Sequence, residues 1–227
     1  MKQRMTSASK LQAANRLLVG ARIANSRGTP GTLGCFALTL DDRKPVMLTS
    51  QHVLFGAGGQ EQEPVWMADG ATTSRIARTR HGRRGTVHHG DIGVHVDCAM
   101  ADLTTTDGTF VPEAAGAFPA VGHKVHKVGA STGTTSGTVL DTDFSETVRI
   151  EGRTVDACAQ ILVGAGAGET FHAAGDSGAA LRNDEGEVVG LIWGASARGD
   201  AIACPIAPVL WVLHVQLARR VASGVRP

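Results

Sequence analysis

Phe171-His172-Ala173-Ala174-Gly175-Asp176-Ser177-Gly178-Ala179-Ala180-Leu181 leads through a polar turn at Asn183-Asp184-Glu185-Gly186 into Val188-Val189-Gly190-Leu191-Ile192-Trp193-Gly194. A serine set between an acid and a glycine, entered through a second glycine and followed by small residues, is the local pattern of an exposed nucleophile on a sharp turn. Glycine has no Cβ and takes backbone angles that other residues avoid. The N–H groups of Gly175 and Ser177 would then point at one spot, where a developing oxyanion is stabilised. The same residues also make an ordinary Asp-Ser-Gly turn, so the reading depends on partners for Ser177 elsewhere in the chain. The apolar runs on either side have strand length and end at polar turns, which predicts a β-hairpin.

The 227 residues are 42% hydrophobic, with 29 glycines and no tyrosine, so the chain can bury a sizeable core. Many short apolar runs punctuated by glycine predict an all-β architecture. A formal net charge of +1 gives no bulk field for nucleic acid or a membrane surface, and no run is long and apolar enough to span a bilayer. Leu17-Leu18-Val19 is too short for the apolar part of a secretion signal, so the expected location is cytoplasmic. Cys35, Cys98, Cys158 and Cys204 are scattered and form no Cys-x-x-Cys pair. They read as free thiols rather than a zinc site or disulfide framework. No cofactor is expected.

Upstream, residues 1–16 form a polar, basic arm. Leu17–Val19, Leu33–Leu40 and Pro45–Ser50 are β-compatible, and the turn Asp41-Asp42-Arg43-Lys44 joins the last two into a hairpin. The second of these strands runs into Gln51-His52-Val53, which puts a histidine at the end of a buried strand. Glycine-rich and polar turns then precede a short strand, Val65–Met67. Five arginines lie between Arg75 and Gly85. They read as a solvated loop or exposed strand face, because no aromatic residues are interleaved for base stacking. His88-His89-Gly90-Asp91-Ile92-Gly93-Val94-His95-Val96-Asp97 follows. A strand throws alternate residues to opposite faces, so few of these side chains can converge on a metal. If His52 is a general base, it needs a buried carboxylate on its far nitrogen, and Asp91 and Asp97 both qualify.

A Thr-, Ala-, Gly- and Pro-rich stretch from Thr104 to Val121 lacks periodicity and divides the chain into 17–112, a linker at 113–122, and 123–227. The second part carries strand-like segments at Lys124–Val139, Thr147–Ile150, Thr154–Val163 and Ala201–Ile206. Gly164–Gly168 lacks the spacing of a dinucleotide loop and reads as a mobile glycine loop. Pro208 opens a helix in which Val209, Leu210, Val212, Leu213 and Leu217 fall at helical spacing.

Gly31-Thr32-Leu33-Gly34-Cys35-Phe36-Ala37-Leu38, followed by Val46-Met47-Leu48-Thr49-Ser50-Gln51-His52-Val53-Leu54, resembles the amino-terminal barrel of trypsin-like (chymotrypsin-fold) serine peptidases. It is most similar to the bacterial group related to the plant NARROW LEAF peptidases, where Gly-Thr-Leu-Gly-Cys precedes Leu-Ser-Asn-x-His-Val-Leu. Val96-Asp97-Cys98-Ala99-Met100-Ala101 resembles that group's Val-Asp-Ala-Ala-hydrophobic-Ala, whereas Asp91-Ile92-Gly93-Val94 is similar to the animal trypsin motif. The match at His52 favours Asp97. Lys124–Val139 is similar to the group's Lys-x-Gly-Arg-Thr-Thr-Gly-x-Thr-x-Gly-x-Val, with Ala130 in place of the arginine.

The resemblance runs from Gly31 to Leu213. It implies two six-stranded-type antiparallel β-barrels with a C-terminal helix, and a serine endopeptidase acting on a protein or peptide. Its residues would be catalytic His52, Asp97 and Ser177, in the chain order of trypsin-like enzymes, with an oxyanion hole at Gly175 and Ser177. Phe171, His172, Trp193 and Gly194 would line the substrate pocket. With no acid at Phe171, a small or apolar P1 residue is expected, or an acidic one if His172 contacts it. Asp176 would shape the loop or pair with a positive group, which in zymogen-type relatives is a new N-terminus. Arg16-Leu17-Leu18-Val19-Gly20 faintly resembles such a cleavage site, although intracellular bacterial relatives need none. Some relatives work beside defence or signalling modules, which implies an activator or partner of that kind. Two other readings remain open. One is a binding module that does not cleave, and the other is a metal-dependent hydrolase using His88, His89 and His95.

Overall fold

The computed structural model describes residues 17–221 apart from 71, 90, 105–107, 151 and 167. The basic arm, including Arg16 of the cleavage-like sequence, lies outside the described residues. The first half supplies β1 (Arg22–Ala24), β2 (Pro30–Thr32), β3 (Cys35–Thr39), β4 (Pro45–Thr49), α1 (Gln51–Phe55), β5 (Pro64–Asp69), β6 (Thr72–His89), β7 (Ile92–Leu103) and β8 (Thr109–Pro112). The second supplies β9 (Lys124–Gly129), β10 (Gly133–Ile150), β11 (Arg153–Ala165), β12 (Ala180–Arg182), β13 (Val188–Ala195), β14 (Ala201–Pro205), α2 (Ile206–Leu213) and β15 (Val215–Val221).

The all-β expectation holds. The second half closes as an antiparallel barrel in the order β10-β11-β14-β13-β12-β9, and the first is a nine-stranded sheet in the order β2-β1-β5-β6-β7-β4-β3-β15-β8. The position of β15 corrects the reading of the C-terminus. Helical spacing carries Leu217 into the final helix, but α2 stops at Leu213, and His214 takes a left-handed conformation with its N–H on the Leu210 and Trp211 carbonyls. Beyond it the chain is extended and pairs Val215 with Thr39 and Ala218 with Phe36 in the first sheet. Leu217 is therefore a buried strand residue. Residues 215–221 belong to the first sheet although they come last in the chain. The aperiodic stretch after Thr104 likewise contains the short strand β8, and 17–19 is not a strand, although Leu17 is buried.

Why the site sits where it does follows from the cores. One cluster belongs to the first sheet and includes Ile23, Leu33, Met47 and Leu54. A second belongs to the barrel and includes Val125, Ile161, Val163 and Phe171. The third spans the seam, joining Leu48, Val96 and Cys98 to Leu191, Trp193, Ile202 and Cys204. Helix α2 contributes Ile206, Val209 and Leu213 to this shared core, each worth about 1.5–3 kcal/mol of burial. The two halves are thus fixed relative to each other by apolar packing, and side chains at the seam are held from both sides. All four cysteines are free, as expected, with Cys35, Cys98 and Cys204 buried. Burial pushes the Cys35 thiol up to about 12.

Candidate active site

Strand β4 delivers His52 to the seam. Ser50 precedes α1 in an extended conformation and does not cap it. Its hydroxyl instead donates across the seam to the Ile192 carbonyl at 3.1 Å. His52 then lies beside β7. Its Nδ1 is 2.9 Å from Asp97 Oδ2, and its backbone N–H donates to Oδ1 at 3.1 Å. Asp97 is fully buried. Burial alone raises a carboxyl, but the charge and hydrogen bonds of His52, with the charge of Arg84, outweigh it and hold Asp97 below the usual range. An ionised acceptor at Nδ1 fixes the proton there and leaves Nε2, on the other edge of the ring, to receive one.

Asp91 is exposed at the turn between β6 and β7, so of the two candidate acids it is Asp97 that meets His52. His88 is exposed, while His95 is buried and lies on Trp193 with ring centroids 4.8 Å apart. Among the described residues no three His, Cys, Asp or Glu side chains group as metal ligands.

Ser177 is half-buried on the turn after Gly175. Gly175 has φ +97°, and a Cβ there would stand 2.4 Å from Ser131 Oγ. Gly178 has φ +91°, and a Cβ would stand 1.9 Å from Thr49 Oγ1. Only glycine allows the turn to come this close to β4, the strand that leads into α1 and His52. The approach is sealed by hydrogen bonds from Thr32 N–H to the Ser177 carbonyl at 2.8 Å, Thr32 Oγ1 to the Gly175 carbonyl at 2.8 Å, and Gly178 N–H to the Ile192 carbonyl at 2.7 Å. Among the described residues, neither the Gly175 nor the Ser177 N–H donates to any acceptor.

Asp176 anchors this turn from inside. It is fully buried and accepts from Ser131 N–H at 2.8 Å, Thr132 N–H at 3.2 Å, Thr132 Oγ1 at 2.7 Å and Ala173 N–H at 3.1 Å. Its counter-charge is Lys127, also fully buried, with Nζ 3.2 Å from Oδ2. Lys127 also donates to the Thr132 hydroxyl and, at 3.2 Å, to the Gly133 carbonyl. Burial raises the Asp176 carboxyl, and these hydrogen bonds more than reverse it. For Lys127 burial wins over Asp176, and its ammonium sits below the usual range.

The expected pocket residues fall into two kinds. Phe171 and Trp193 are 3% and 1% exposed. Phe171 packs in the barrel core, and its carbonyl accepts from Thr135 Oγ1 at 2.8 Å. Trp193 Nε1 donates to Gln160 Oε1 at 2.7 Å, and Gln160 Nε2 donates to the His95 carbonyl at 2.8 Å. Gly194 is buried beside it. His172 is half-buried, and its Nδ1 has no hydrogen-bond partner among the described residues. Burial pushes its imidazole down to about 4; Asp176 pulls the other way, and the charges of Lys127 and protonated His52 add to the fall.

A histidine depressed in the folded state is protonated first in the unfolded chain, so its stability contribution is complete above about pH 6.5 and lost as pH falls toward 4. The expected loss across that window is about 2–3 kcal/mol. Urea unfolding at pH 7.5 and pH 4.5 measures it, and His172→Gln should flatten the difference. Parallel losses in both proteins would clear this ring of responsibility.

Neither a protein-family model nor a curated protein sequence matches the chain. Solved structures do. A Nocardiopsis protease, NAPase, superposes with a TM-score of 0.58 at 18% identity, over 88% of this chain and 97% of its own. Thermobifida fusca protease A gives 0.58 at 18% identity over the same shares. A serine protease described as glutamic acid specific gives 0.61 at 20% identity, over 88% of this chain and 100% of its own. The chain has the chymotrypsin fold. At these identities the likeness establishes the architecture alone, and chemistry has to be argued from the side chains.

In this fold the seam described above lies between the two β-domains, with His52 and Asp97 on one side and Ser177 on the other. Two contacts of the site escape a reading by sequence. Arg84, one of the five arginines of β6, places Nε 3.3 Å from Asp97 Oδ2. Lys127 supplies the cation for Asp176, three residues before Ala130, where the family pattern has its arginine.

Proposed function

We propose that the chain is a serine endopeptidase of the trypsin-like class, cleaving a protein or peptide through an acyl-enzyme. The observation that carries this reading is the buried His52–Asp97 pair, set across the seam from a serine on a turn whose two amides are uncommitted. Ser177 Oγ attacks the peptide carbonyl while His52 Nε2 takes its proton, and the carbonyl oxygen becomes an oxyanion held by the Gly175 and Ser177 N–H groups. The C–N bond breaks as His52 returns the proton to the leaving amine. Water then repeats the sequence on the acyl-enzyme and frees Ser177. Asp97 stays ionised throughout and stabilises the imidazolium.

By analogy with the fold, Phe171 lies at the base of the P1 pocket. Its burial gives that base an apolar character, which favours a small or apolar P1 residue. The glutamic acid specific neighbour is described as using a histidine triad in substrate binding. Here His172 is held neutral at physiological pH, so an acidic P1 residue would meet no charge from it. The similarity to the bacterial group related to NARROW LEAF peptidases rests on sequence motifs and is part of the proposal. So is competence without cleavage near Arg16, since Lys127 already provides the charge that a new N-terminus supplies in zymogens.

The test is labelling of the unprocessed chain with a fluorophosphonate probe, with the modified residue located by peptide mass spectrometry. Modification at Ser177 is expected, followed by cleavage after small or apolar residues in a peptide library. A folded chain left unmodified would return the non-cleaving binding module as the better reading. Chelator-sensitive activity without labelling would return the metal-dependent one.

A further inference from the structure

We propose that Arg84 is a positioning residue of this site: its guanidinium braces the Asp97 carboxylate against the His52 ring, and its fixed charge makes that ring a weaker acceptor of protons, extending activity toward acid pH. The inference rests on the peptidase reading for its consequence, but not for its geometry. Asp97 Oδ1 takes the His52 backbone N–H, and Oδ2 is shared between His52 Nδ1 at 2.9 Å and Arg84 Nε at 3.3 Å. The contact is built by strand pairing. Arg84 on β6 is directly opposite Asp97 on β7, where cross-strand side chains on one face meet. Period-two alternation then sends the adjacent Arg83 outward, and Arg83 is exposed while Arg84 is 16% exposed at the side chain.

Other groups that face the pair do not supply the same charge. Burial holds His95 of β7 below the ordinary range, with Asp97 and Asp156 opposing and Arg84 adding. His172, from the nucleophile loop, is pushed down to about 4. Cys98 of β7 and Cys204 of β14 are raised and neutral, and Cys204 Sγ accepts the Asp97 N–H at 3.2 Å. Lys127 is committed to Asp176. Arginine keeps its proton at every working pH. With it, protonating His52 adds a second positive charge beside the one already at Asp97. Without it, that repulsion is gone. A like charge on the carboxylate that holds the ring disfavours the ring's protonated form.

Arg84 also lines a groove of about 1110 Å³ with Phe55, Gly85, His95 and Asp156. A shortened or neutral side chain there exposes space to solvent rather than opening a void in the core.

The experiment follows the His52 ring by NMR across pH in Ser177→Ala protein, with and without Arg84→Met, alongside the Nδ1–H proton resonance. This readout does not need activity, so failure of the peptidase reading and failure of the Arg84 proposal are separable. In chains with Ser177 intact, the pH profile of fluorophosphonate labelling is the parallel measure. Arg84→Met is expected to move the ring's titration midpoint and the acid limb of labelling up by about one unit. It should also broaden the Nδ1–H signal, and Arg84→Lys should restore the midpoint. An unchanged midpoint in folded Arg84→Met overturns the proposal. Arg84→Gln replaces it if the methionine variant does not fold. If neither neutral variant folds, Arg84→Glu decides: a midpoint raised by more than about one unit supports the charge, and an unchanged midpoint overturns it.

Discussion

Asp97→Asn is expected to lower kcat/KM on a peptide substrate by about 10⁴ while leaving the fold in place. The carboxylate accepts from both the His52 ring and its backbone N–H. An amide of the same shape can still accept the backbone N–H through its oxygen. Its NH₂ then faces Nδ1, which must become an acceptor, and the proton moves to Nε2. On the proposed mechanism that is the nitrogen that takes the proton of Ser177, so the base would be present but in the wrong tautomer. The variant also removes the negative charge that stabilises the imidazolium and leaves Arg84 with no carboxylate at 3.3 Å. Asp91→Asn, at the exposed turn between β6 and β7, is the matched control and should leave kcat/KM unchanged. A folded Asp97→Asn protein within tenfold of the parent would remove Asp97 from the mechanism.

Lys127→Met should cost about 3–5 kcal/mol of stability, because it strands a fully buried carboxylate. At a urea slope of about 2 kcal/mol/M, that is a fall of roughly 1.5–2.5 M in the unfolding midpoint. The four hydrogen bonds to Asp176 from Ser131, Thr132 and Ala173 remain. They order the turn but do not neutralise it. The turn carries Gly175 and Ser177, so kcat should fall further than the loss of folded protein explains. Asp176→Asn in the same chain tests the cause. It removes the uncompensated charge, so the double variant should unfold at higher urea than Lys127→Met alone, a coupling that a cycle of the four proteins measures. If Lys127→Met unfolds at the parent's urea concentration, the pair is not what holds the loop.

Both partners of these charge contacts show how far the sequence reads. The glycines around Ser177 and the strand leading toward His52 announce themselves, because turn chemistry and strand length are local properties, but the strand stops at Thr49 and His52 sits in α1 rather than at the strand end. Lys127 was half legible. Alternation along Val125, Lys127 and Gly129 puts a charged residue on the buried face of β9, and a buried lysine needs a partner. Nothing local says that the partner is Asp176. Arg84 was not legible at all. Which of five arginines turns inward depends on the register of β6 against β7, and that register shifts between Thr79 and His81. The C-terminus misled for a similar reason. Apolar residues at 209, 213 and 217 keep a four-residue spacing that fits one helical face, while Val215 and Leu217 equally fit one face of a strand. The left-handed His214 between them, set by tertiary pairing with β3, decides the matter.

That final strand also bears on how the molecule is made. Because β15 lies between β3 and β8, the first sheet cannot complete its hydrogen bonding until residues 215–221 exist. An amino-terminal half emerging from the ribosome would normally fold as a unit while the rest is synthesised. Here it must wait with one edge of β3 open, and close through one of the most distant contacts the chain can make. Topologies dominated by such contacts fold slowly. Asp97 lies on β7 of that sheet and His52 on α1 beside it, so on the peptidase reading proposed above the base and its acid sit in a finished sheet only after the barrel carrying Ser177 has been synthesised.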